Sequence, residues 1–403
     1  MKKTSVKTVG ILTSGGDAPG LNAAIRGICR SAMINYGMKI VGIRNGYRGL
    51  VNGDCISIGS DDLAGLLTQG GTILGTARDK PFKNPVPNPE TGLLPIEAIK
   101  KNYKKWKLDA LCVLGGNGTN TTGNLLYEEG LNVIGLPKTI DNDLKYTDHT
   151  PGFGSAAKYV ATSLLEVIYD SRIYKVKSVT IVEIMGRNAG WLTAAAGLVR
   201  GEDCEGVDLI FLPEKVFDVN FFMKRVKEVV AEKKYCVVAL SEGVRIADGR
   251  FVCELSADDA AVDAFGHKMM SGSAKYLETL VKNEMGIKAR AIEISTLQRC
   301  ASHFASLTDI EEAFDCGAAA VRAAVIDNET GKVVCMNRIS AVPYKITYDL
   351  ADVHNIANVE KTVPLEWITF DYVTEEAVSY IRPLIQGELN PIINDGLPRQ
   401  IKL

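Results

Sequence analysis

The chain has 403 residues, a length that suits two domains better than one. Hydrophobic residues make up 46% and charged residues 23%, a balance typical of a globular protein with enough apolar material for a core. The formal net charge of -2 argues against nucleic acid as the main partner, because proteins that bind it usually carry a basic surface.

The cysteines and the apolar segments bear on the location of the protein. Nine cysteines are widely spaced and form no C-x-x-C pair, so we expect neither a disulfide framework nor a zinc site. The basic N-terminus is not followed by the apolar core of a signal peptide, and no run approaches 18 apolar residues. We therefore expect a cytoplasmic protein without a membrane partner.

Short apolar strands alternate with helical segments through the first part of the chain. Thr8–Thr13, Lys39–Arg44, Ala110–Leu114 and Asn132–Leu136 have the composition of strands, and Asn22–Tyr36 has apolar residues near helical spacing. This alternation predicts βαβ units and a parallel, doubly wound sheet, whose ligands bind at the carboxyl ends of its strands. The proline-rich residues 79–95 predict an irregular surface loop.

The same alternation continues in the second part of the chain. Ser155–Tyr169 predicts a long helix. Strands of a second unit are predicted at Ser178–Ile184, Leu209–Leu212 and Cys236–Leu240. The tail after Leu350 predicts irregular segments and one helix near Glu375–Ile381. We therefore expect two doubly wound, mainly parallel α/β (Rossmann-like) domains with the active site in the cleft between them.

Two glycine-rich turns follow predicted strands. Gly15–Gly20 precedes a helix, so its amides and the helix start favour an anion, although a structural turn explains it about as well. This turn fits neither the Walker A loop nor the G-x-G-x-x-G fingerprint. Gly115–Thr119 could cradle a phosphate, with the Asn117 carbonyl oxygen available to a metal, or it could be a structural turn.

The segment Thr139–Asp143 follows another predicted strand and carries two carboxylates. A positioned carboxylate can take the proton from a sugar hydroxyl, and phosphoryl transfer otherwise needs only positioning and charge neutralisation. In isolation, an Asx turn with solvated aspartates would explain the segment better. The preceding Pro137–Lys138 brings a cation near the same place and favours the chemical interpretation.

Arginines are the remaining candidates. Met185–Arg187 places a guanidinium at a strand end, where it suits a phosphate. Arg78 stands in a glycine-rich loop, and Arg290 and Arg299 stand in a polar stretch. Either of the last two, taken alone, is more often the partner of a surface salt bridge.

Together these motifs resemble the 6-phosphofructokinase family. Ile11–Asn22, Gly70–Arg78, Thr139–Asp143 and Met185–Arg187 match its motifs in the same order. The resemblance runs through about residue 340, and the remaining tail is similar to that of the longer, pyrophosphate-type members. It implies a glycolytic phosphotransferase that phosphorylates the 1-hydroxyl of fructose 6-phosphate to give fructose 1,6-bisphosphate, with Mg²⁺ bridging the donor phosphates.

The resemblance also implies an organisation. Residues 1–153 with about 298–349 would form the donor-binding domain. Residues 154–297 with about 350–403 would form the sugar-phosphate-binding domain and the tail. The family implies a homo-oligomer, a dimer or tetramer, in which Arg290 reaches the sugar pocket of a neighbouring subunit.

Residue roles follow from the same resemblance. Asp141 would be the base, Thr139 and Asp143 would position the sugar and the phosphoryl group, and Arg78 with the Gly15 amide would neutralise charge. The implied donor site is Gly15, Arg78, Asp79, Gly116, Asn117, Gly118, Thr119 and Lys138. The implied sugar-phosphate site is Thr139, Asp141, Asp143, Met185, Gly186, Arg187, Glu242, Arg290 and Arg299.

Three positions depart from the family pattern. Asn117 replaces a metal-side aspartate, so direct contact with Mg²⁺ would be weaker or water-mediated. Thr296 replaces a histidine found in the sugar pocket of ATP-type members. Ser178 replaces a second cross-subunit arginine, for which Lys175 or Lys177 could substitute.

The family markers of the phosphoryl donor are mixed. Pyrophosphate users tend to carry an aspartate where Gly118 stands and a lysine where Lys138 stands, whereas ATP users tend to carry glycine at both positions. An aspartate at position 118 would put a charge where the α-phosphate of ATP must lie, so Gly118 permits ATP. Lys138 could hold a pyrophosphate oxygen without excluding ATP. We expect ATP as the donor, with pyrophosphate as the alternative.

Two other interpretations of the motifs compete with this one. An NAD-kinase-like or lipid-kinase-like protein would explain Gly115–Thr119 but neither Gly15–Gly20 nor Thr139–Asp143. A non-catalytic sugar-phosphate sensor is the alternative from a different class, because family members can lose catalysis. The presence of Asp141 and Arg78 argues against such a sensor.

Overall fold

The structure is a computed structural model that describes residues 6–83, 85–88, 91–255, 272–353 and 360–399. Its strands are β1 (Thr8–Thr13), β2 (Lys39–Ile43), β3 (Cys55–Ile58), β4 (Ala110–Gly115), β5 (Val133–Pro137), β6 (Ser178–Ile184), β7 (Leu209–Phe211), β8 (Tyr235–Ser241), β9 (Lys288–Glu293), β10 (Lys332–Ala341), β11 (Tyr344–Asp352), β12 (Ile393–Asn394) and β13 (Leu397–Pro398). Its α-helices are α1 (Leu21–Arg30), α2 (Gly46–Asn52), α3 (Pro95–Lys105), α4 (Asn117–Glu128), α5 (Phe153–Ile173), α6 (Trp191–Ala194), α7 (Val219–Lys233), α8 (Ser273–Met285), α9 (Leu297–Cys300), α10 (Leu307–Arg322) and α11 (Glu375–Ile381).

A seven-stranded sheet organises the first unit, in the order β11-β10-β5-β4-β1-β2-β3. The five inner strands are parallel, and the edge strands β3 and β11 run antiparallel to their neighbours. Every residue of β1 and β4 is buried, so both faces of the sheet need a cover of helices. Helices α1 and α10 cover one face, and α2 and α3 cover the other.

A four-stranded parallel sheet organises the second unit, in the order β7-β8-β6-β9. Helix α5 packs on one face, and α7 and α8 pack on the other. The C-terminal tail returns to this unit, because Ala377 and Ile381 of α11 are fully buried in the same core as α5. The carboxyl ends of β1, β4, β5 and β6 therefore supply the loops from which a site can be built.

The predicted fold class of two mainly parallel α/β units is confirmed. Helix α1 ends at Arg30, before the predicted end at Tyr36, and continues as one π-helical segment, Ser31–Asn35. The prediction missed β3, β9, β10, β11 and the two short strands β12 and β13. Strand β11 runs to Asp352, so this part of the tail is regular rather than irregular. Helix α11 has the bounds that were predicted.

Within the described residues, no helix combines the length and the apolar character needed to cross a bilayer. The predicted division of the chain into a donor domain and a sugar domain stays a prediction. The two sheets are compatible with it except at the boundary, because β11 of the first sheet continues three residues beyond position 349.

Candidate active site

The loops at the carboxyl ends of β1, β4 and β5 enclose a cleft of about 780 Å³. Eleven of the predicted site residues line it: Gly15, Arg78, Asp79, Gly116, Gly118, Thr119, Lys138, Thr139, Asp141, Met185 and Arg299. Met185 follows β6 of the second unit, and Arg299 lies on α9, in the connection from the second unit back to the first. The structure therefore brings the predicted phosphate turns, the two-carboxylate loop and part of the predicted sugar site to one place.

The turn after β1 is built on a left-handed residue. Gly15 has a φ of 95°, a conformation that favours glycine, and its carbonyl accepts a hydrogen bond from the hydroxyl of Thr76 at 2.7 Å. The Gly15 amide donates to the carbonyl of Ala77 at 3.2 Å. An incoming phosphate oxygen would have to share this amide with Ala77 or displace that contact.

Two guanidinium groups converge on the same turn. A Cβ atom placed on Gly16 would lie 3.6 Å from a terminal nitrogen of Arg299 and 3.8 Å from one of Arg78. Because Gly16 has no side chain, both guanidinium groups can approach the turn. This arrangement suits a group that carries several negative charges.

The turn after β4 presents the start of a helix to the cleft. Gly116 precedes the first residue of α4, so the unpaired amides of this helix end favour an anion. The hydroxyl of Thr119 donates to the carbonyl of Ser14 at 3.3 Å and links this turn to β1. Asn117 does not line the cleft, but its carbonyl oxygen Oδ1 is buried and accepts no hydrogen bond from the described residues.

The position of Gly118 is open. A Cβ atom added there would contact only Cε of Lys80, at 3.9 Å, among described atoms outside its chain neighbours. A side chain at this position would therefore project into the cleft toward the Lys80 chain. The absence of a side chain leaves that space free.

Lys138 is a buried cation beneath the phosphate turns. Its ammonium group donates a hydrogen bond to the carbonyl of Gly16. Burial lowers the pKa of Lys138 to about 8, and the neighbouring carboxylates of Asp17 and Asp141 oppose this shift. Lys138 therefore titrates near neutral pH, and a phosphate placed beside it would favour its charged form.

The carboxylate of Asp141 is held beside this cation. Burial raises its pKa, whereas the hydroxyl of Thr139 and the charges of Lys138 and Arg299 lower it. The Asp141 amide donates to the Thr139 hydroxyl oxygen at 3.1 Å, and the hydroxyl of Thr150 donates to the Thr139 carbonyl at 2.7 Å. A base needs a raised pKa and a fixed position, and both conditions are met here.

Asp143 lies behind Asp141, outside the lining of the cleft. Burial raises the pKa of Asp143 to about 7, and the charges of Asp141 and Glu360 act in the same direction. The two carboxylates are therefore coupled, so ionising Asp141 disfavours ionising Asp143.

The loop after β6 closes the other side. Gly186 has a φ of 133°, and its amide donates to Oε1 of Glu242 at 3.3 Å. Burial raises the pKa of Glu242, Asp141 adds to this rise, and Arg187 opposes it. Because Arg187 also lowers the pKa of Asp141, its charge reaches both carboxylates. Gly186, Arg187 and Glu242 therefore border the site without lining the main cleft.

Arg290 is a predicted site residue that lies outside this arrangement. It sits on β9 with a half-exposed side chain, which pairs with Asp170 of α5 at 3.3 Å, and it does not line the cleft of its own chain. Lys288 faces Ser178 across the β6–β9 pairing and adds a cation beside the position where an arginine was expected.

The structure also reveals lining residues that the sequence interpretation missed. Lys80 and Lys83 follow Arg78 in the chain, and Arg48 reaches the cleft from α2 and pairs with Asp79 at 3.0 Å. The two lysines could have been found from their closeness in sequence to Arg78. Arg48 could not be found in this way, because it lies on α2, in the connection between β2 and β3.

Comparison with known proteins agrees with this geometry. The profile of the family described as phosphofructokinase matches residues 8–323. The chain belongs to the phosphofructokinase family. An ATP-dependent 6-phosphofructokinase of Spirochaeta thermophila is 47% identical over 249 residues, which span 60% of this chain and 65% of that relative, just under two thirds of its length.

Other relatives are similar along nearly the whole chain. A pyrophosphate–fructose 6-phosphate 1-phosphotransferase of Halomonas elongata is 35% identical over 406 residues, covering 97% of this chain and 94% of that protein. The crystal structure of the pyrophosphate-dependent phosphofructokinase from Marinobacter aquaeolei superposes with a TM-score of 0.85 at 32% identity, covering 98% of this chain and 96% of that one. The relatives thus include both ATP-dependent and pyrophosphate-dependent phosphofructokinases.

Proposed function

We propose that this protein transfers the terminal phosphoryl group of ATP to the 1-hydroxyl of fructose 6-phosphate, giving fructose 1,6-bisphosphate in glycolysis in the cytoplasm. The relatives of both donor types bear names that specify phosphofructokinase activity. The cleft supplies the positioned carboxylate of Asp141, two phosphate-binding turns and, among its cations, Arg78, Lys138 and Arg299. Phosphoryl transfer to a hydroxyl needs these components and few others.

In this mechanism Asp141 accepts the proton of the sugar 1-hydroxyl as the hydroxyl oxygen attacks the terminal phosphorus of ATP. The bond from that phosphorus to the bridging oxygen breaks, and ADP leaves with this oxygen. Thr139, hydrogen-bonded to the Asp141 amide, keeps the carboxylate oriented. Arg78 and Arg299, which both approach Gly16, stabilise the charge on the transferring group. Met185–Arg187 and Glu242 would bind the sugar phosphate from the second unit.

The choice of ATP rests on the shape of the cleft around Gly118. That position carries no side chain, and the cleft that it lines also has several apolar or aromatic side chains in its walls. These lining residues are Tyr47, Val51, Pro81, Val86 and Pro95. Apolar walls suit the base of a nucleotide, whereas pyrophosphate has no apolar part to place against them.

Mg²⁺ is the cofactor expected with this donor. The described residues hold no group of three histidine, cysteine, aspartate or glutamate side chains arranged to bind a metal. Mg²⁺ normally uses one or two protein oxygens together with water and substrate phosphates, so such a group is not required. The unpaired Oδ1 of Asn117 fits this pattern. We therefore propose that Asn117 would contribute an oxygen to Mg²⁺, whose charge would offset that of the donor phosphates.

We further propose a homo-oligomer, a dimer or tetramer, in which Arg290 completes the sugar pocket of a neighbouring subunit. In support, Arg290 does not line the cleft of its own chain and is half-exposed on the surface near the end of α5. Lys288 on the same strand could take the part of the arginine that is missing at Ser178.

Pyrophosphate remains the second candidate donor. Lys138 is buried under the phosphate turns, and the relatives that match nearly the whole chain are named as pyrophosphate enzymes. Lys138 would hold pyrophosphate directly.

The deciding experiment measures the rate of fructose 6-phosphate phosphorylation with ATP and with pyrophosphate in parallel. We expect a higher kcat/KM with ATP. In a Gly118→Asp variant, the added carboxylate should lower kcat/KM for ATP by about 10²-fold or more, because each 1.4 kcal/mol of repulsion costs about tenfold. Faster turnover of the wild type with pyrophosphate would reverse the donor assignment, and unchanged ATP kinetics in the variant would refute the argument from Gly118.

A further inference from the structure

The tail residues Glu360 and Lys361 form a strand-like contact with the two-carboxylate loop. The Lys361 amide donates to the carbonyl of Asp143 at 2.7 Å, and Glu360 pairs with Leu144 in an antiparallel bridge. These tail residues lie beyond position 323, where the match to the family profile ends. A segment outside the profile therefore contacts the loop that carries the base.

The Lys361 side chain reaches into this loop. Its ammonium group donates to Oδ1 of Asn142 and to the carbonyl of Thr147, each at 3.2 Å. The amide group of Asn142 also donates to the hydroxyl of Tyr380 at 3.0 Å, so two tail residues hold one side chain. Asn142 has a φ of 53°, a left-handed conformation that asparagine adopts more readily than most residues, and the two tail contacts fix its side chain in this turn.

The same tail segment contacts the loop of the predicted sugar site. Oε1 of Glu360 accepts a hydrogen bond from the amide group of Asn188 at 2.7 Å, directly after Arg187. The indole nitrogen of Trp191 donates to the carbonyl of Lys361 at 2.9 Å. Two adjacent tail residues therefore join the base loop of the first unit to the sugar loop of the second.

Several charged side chains surround Asp143 and Lys361 at the same contact. Asp143 faces Asp141 and Glu360, which oppose its ionisation, and Lys361, which favours it. The charges of Asp143 and Asp148 in turn favour the charged form of Lys361, and the charge of Arg338 opposes it. Because burial already holds the pKa of Asp143 at about 7, a small change in these neighbours alters its charge at neutral pH.

We propose that Glu360 and Lys361 are positioning residues that hold the Thr139–Asp143 loop against the Met185–Arg187 loop and set the ionisation of Asp143. This inference rests on the proposed function, because Asp143 would position fructose 6-phosphate. An ionised Asp143 accepts a hydrogen bond from a sugar hydroxyl, so binding of the sugar phosphate should strengthen as the pH rises through about 7.

The test compares two variants whose effects should have opposite signs. Lys361→Met removes the cation, so the pH midpoint for fructose 6-phosphate binding should rise. Glu360→Gln removes the opposing anion and keeps an oxygen for Asn188, so the midpoint should fall. A change of one pH unit would alter binding about tenfold at a fixed pH below both midpoints. Isothermal titration calorimetry with fructose 6-phosphate from pH 5.5 to 8.5, roughly centred on the wild-type midpoint, measures these shifts.

Lys145→Met is the matched control, because Lys145 is an exposed lysine near the same loop, and its midpoint should equal that of the wild type. Glu360 is exposed, so its variant carries the test even if Lys361→Met does not fold. Midpoints that stay unchanged or move in the same direction would overturn the inference alone. A wild type that neither binds nor phosphorylates fructose 6-phosphate would overturn the proposed function and the inference with it.

Discussion

At the scale of single residues, Asp141 is surrounded by opposing influences. Burial raises its pKa, and Lys138, Arg187 and Arg299 restrain that rise. Burial thus makes the Asp141 carboxylate more basic, while the neighbouring cations favour its ionised form. This balance is what a base needs when it must accept a proton only as the phosphoryl group moves.

Replacing this carboxylate tests its role. We expect Asp141→Ser to lower kcat for phosphorylation of fructose 6-phosphate by about 10²–10⁴-fold, because serine cannot accept the proton and general base catalysis contributes about that much. A coupled assay of fructose 1,6-bisphosphate formation measures the loss. Thermal unfolding at an unchanged temperature would show that the fold is retained, and activity within a few fold of the wild type would mean that another group is the base.

The sequence indicated most of the residues that line the cleft because they stand in short motifs after strands. It could not indicate Arg48, whose contact with Asp79 depends on how α2 packs. Nor could it show that Ala77 occupies the Gly15 amide, or that Lys361 meets Asn142 across more than 200 positions of the chain. Such contacts are set by tertiary packing, which leaves no local pattern.

At the scale of elements, helices α1 and α10 approach each other through glycine. A Cβ atom on Gly27 of α1 would lie 2.0 Å from the carbonyl oxygen of Phe314, and one on Gly317 of α10 would lie 2.3 Å from that of Ala24. These distances are too short for any side chain, so the two backbones pack directly together. Helix α1 starts directly after the Gly15–Gly20 turn, and this packing therefore holds one wall of the cleft.

We expect Gly27→Ala to destabilise the protein by about 1–3 kcal/mol, the usual cost of overpacking, despite the higher helix propensity of alanine. The added methyl group meets a backbone carbonyl and must push α1 away from α10. Chemical denaturation measures the change in the free energy of unfolding. Gly201→Ala is the control, because that position has open space around it and should be neutral. Equal stability of the two variants would contradict this account.

Elements with strong patterns were predicted well, as β1, β6 and α11 show. The hairpin of β10 and β11 was missed because much of β11 is only partly buried, which weakens the apolar signal of a strand. Strand β9 was missed for a similar reason, since Lys288, Arg290 and Glu293 give it a polar appearance at the edge of its sheet.

At the scale of the whole molecule, a buried polar network joins segments that are distant in sequence. His149, which follows the base loop, contacts Asp148 through Nδ1 at 2.8 Å and Glu312 of α10 through Nε2 at 2.7 Å. Arg338 of β10 pairs with Asp148 at 2.9 Å, and Tyr344 of β11 donates to Glu312. The late antiparallel hairpin and α10 therefore support the same region that the tail holds through Lys361.

His149 gives this network a pH dependence. Burial acts to lower its pKa, but the hydrogen bonds and charges of Asp148 and Glu312 outweigh burial and raise the pKa above its usual value. The stabilisation from protonated His149 is therefore fully present below about pH 6.5 and is lost as the pH rises through the raised pKa of the folded protein.

We expect His149→Leu to lower the free energy of unfolding by about 3–5 kcal/mol at pH 6, because it removes the cation that pairs with the buried carboxylate of Glu312 and the partly buried one of Asp148. The penalty should shrink at higher pH, where the wild type has itself lost the charge. Urea denaturation at about pH 6 and about pH 9 measures both effects, with His303→Leu at an exposed position as the control. A penalty that is the same at both pH values would show that His149 contributes packing alone, and the network would then hold the base loop without sensing protons.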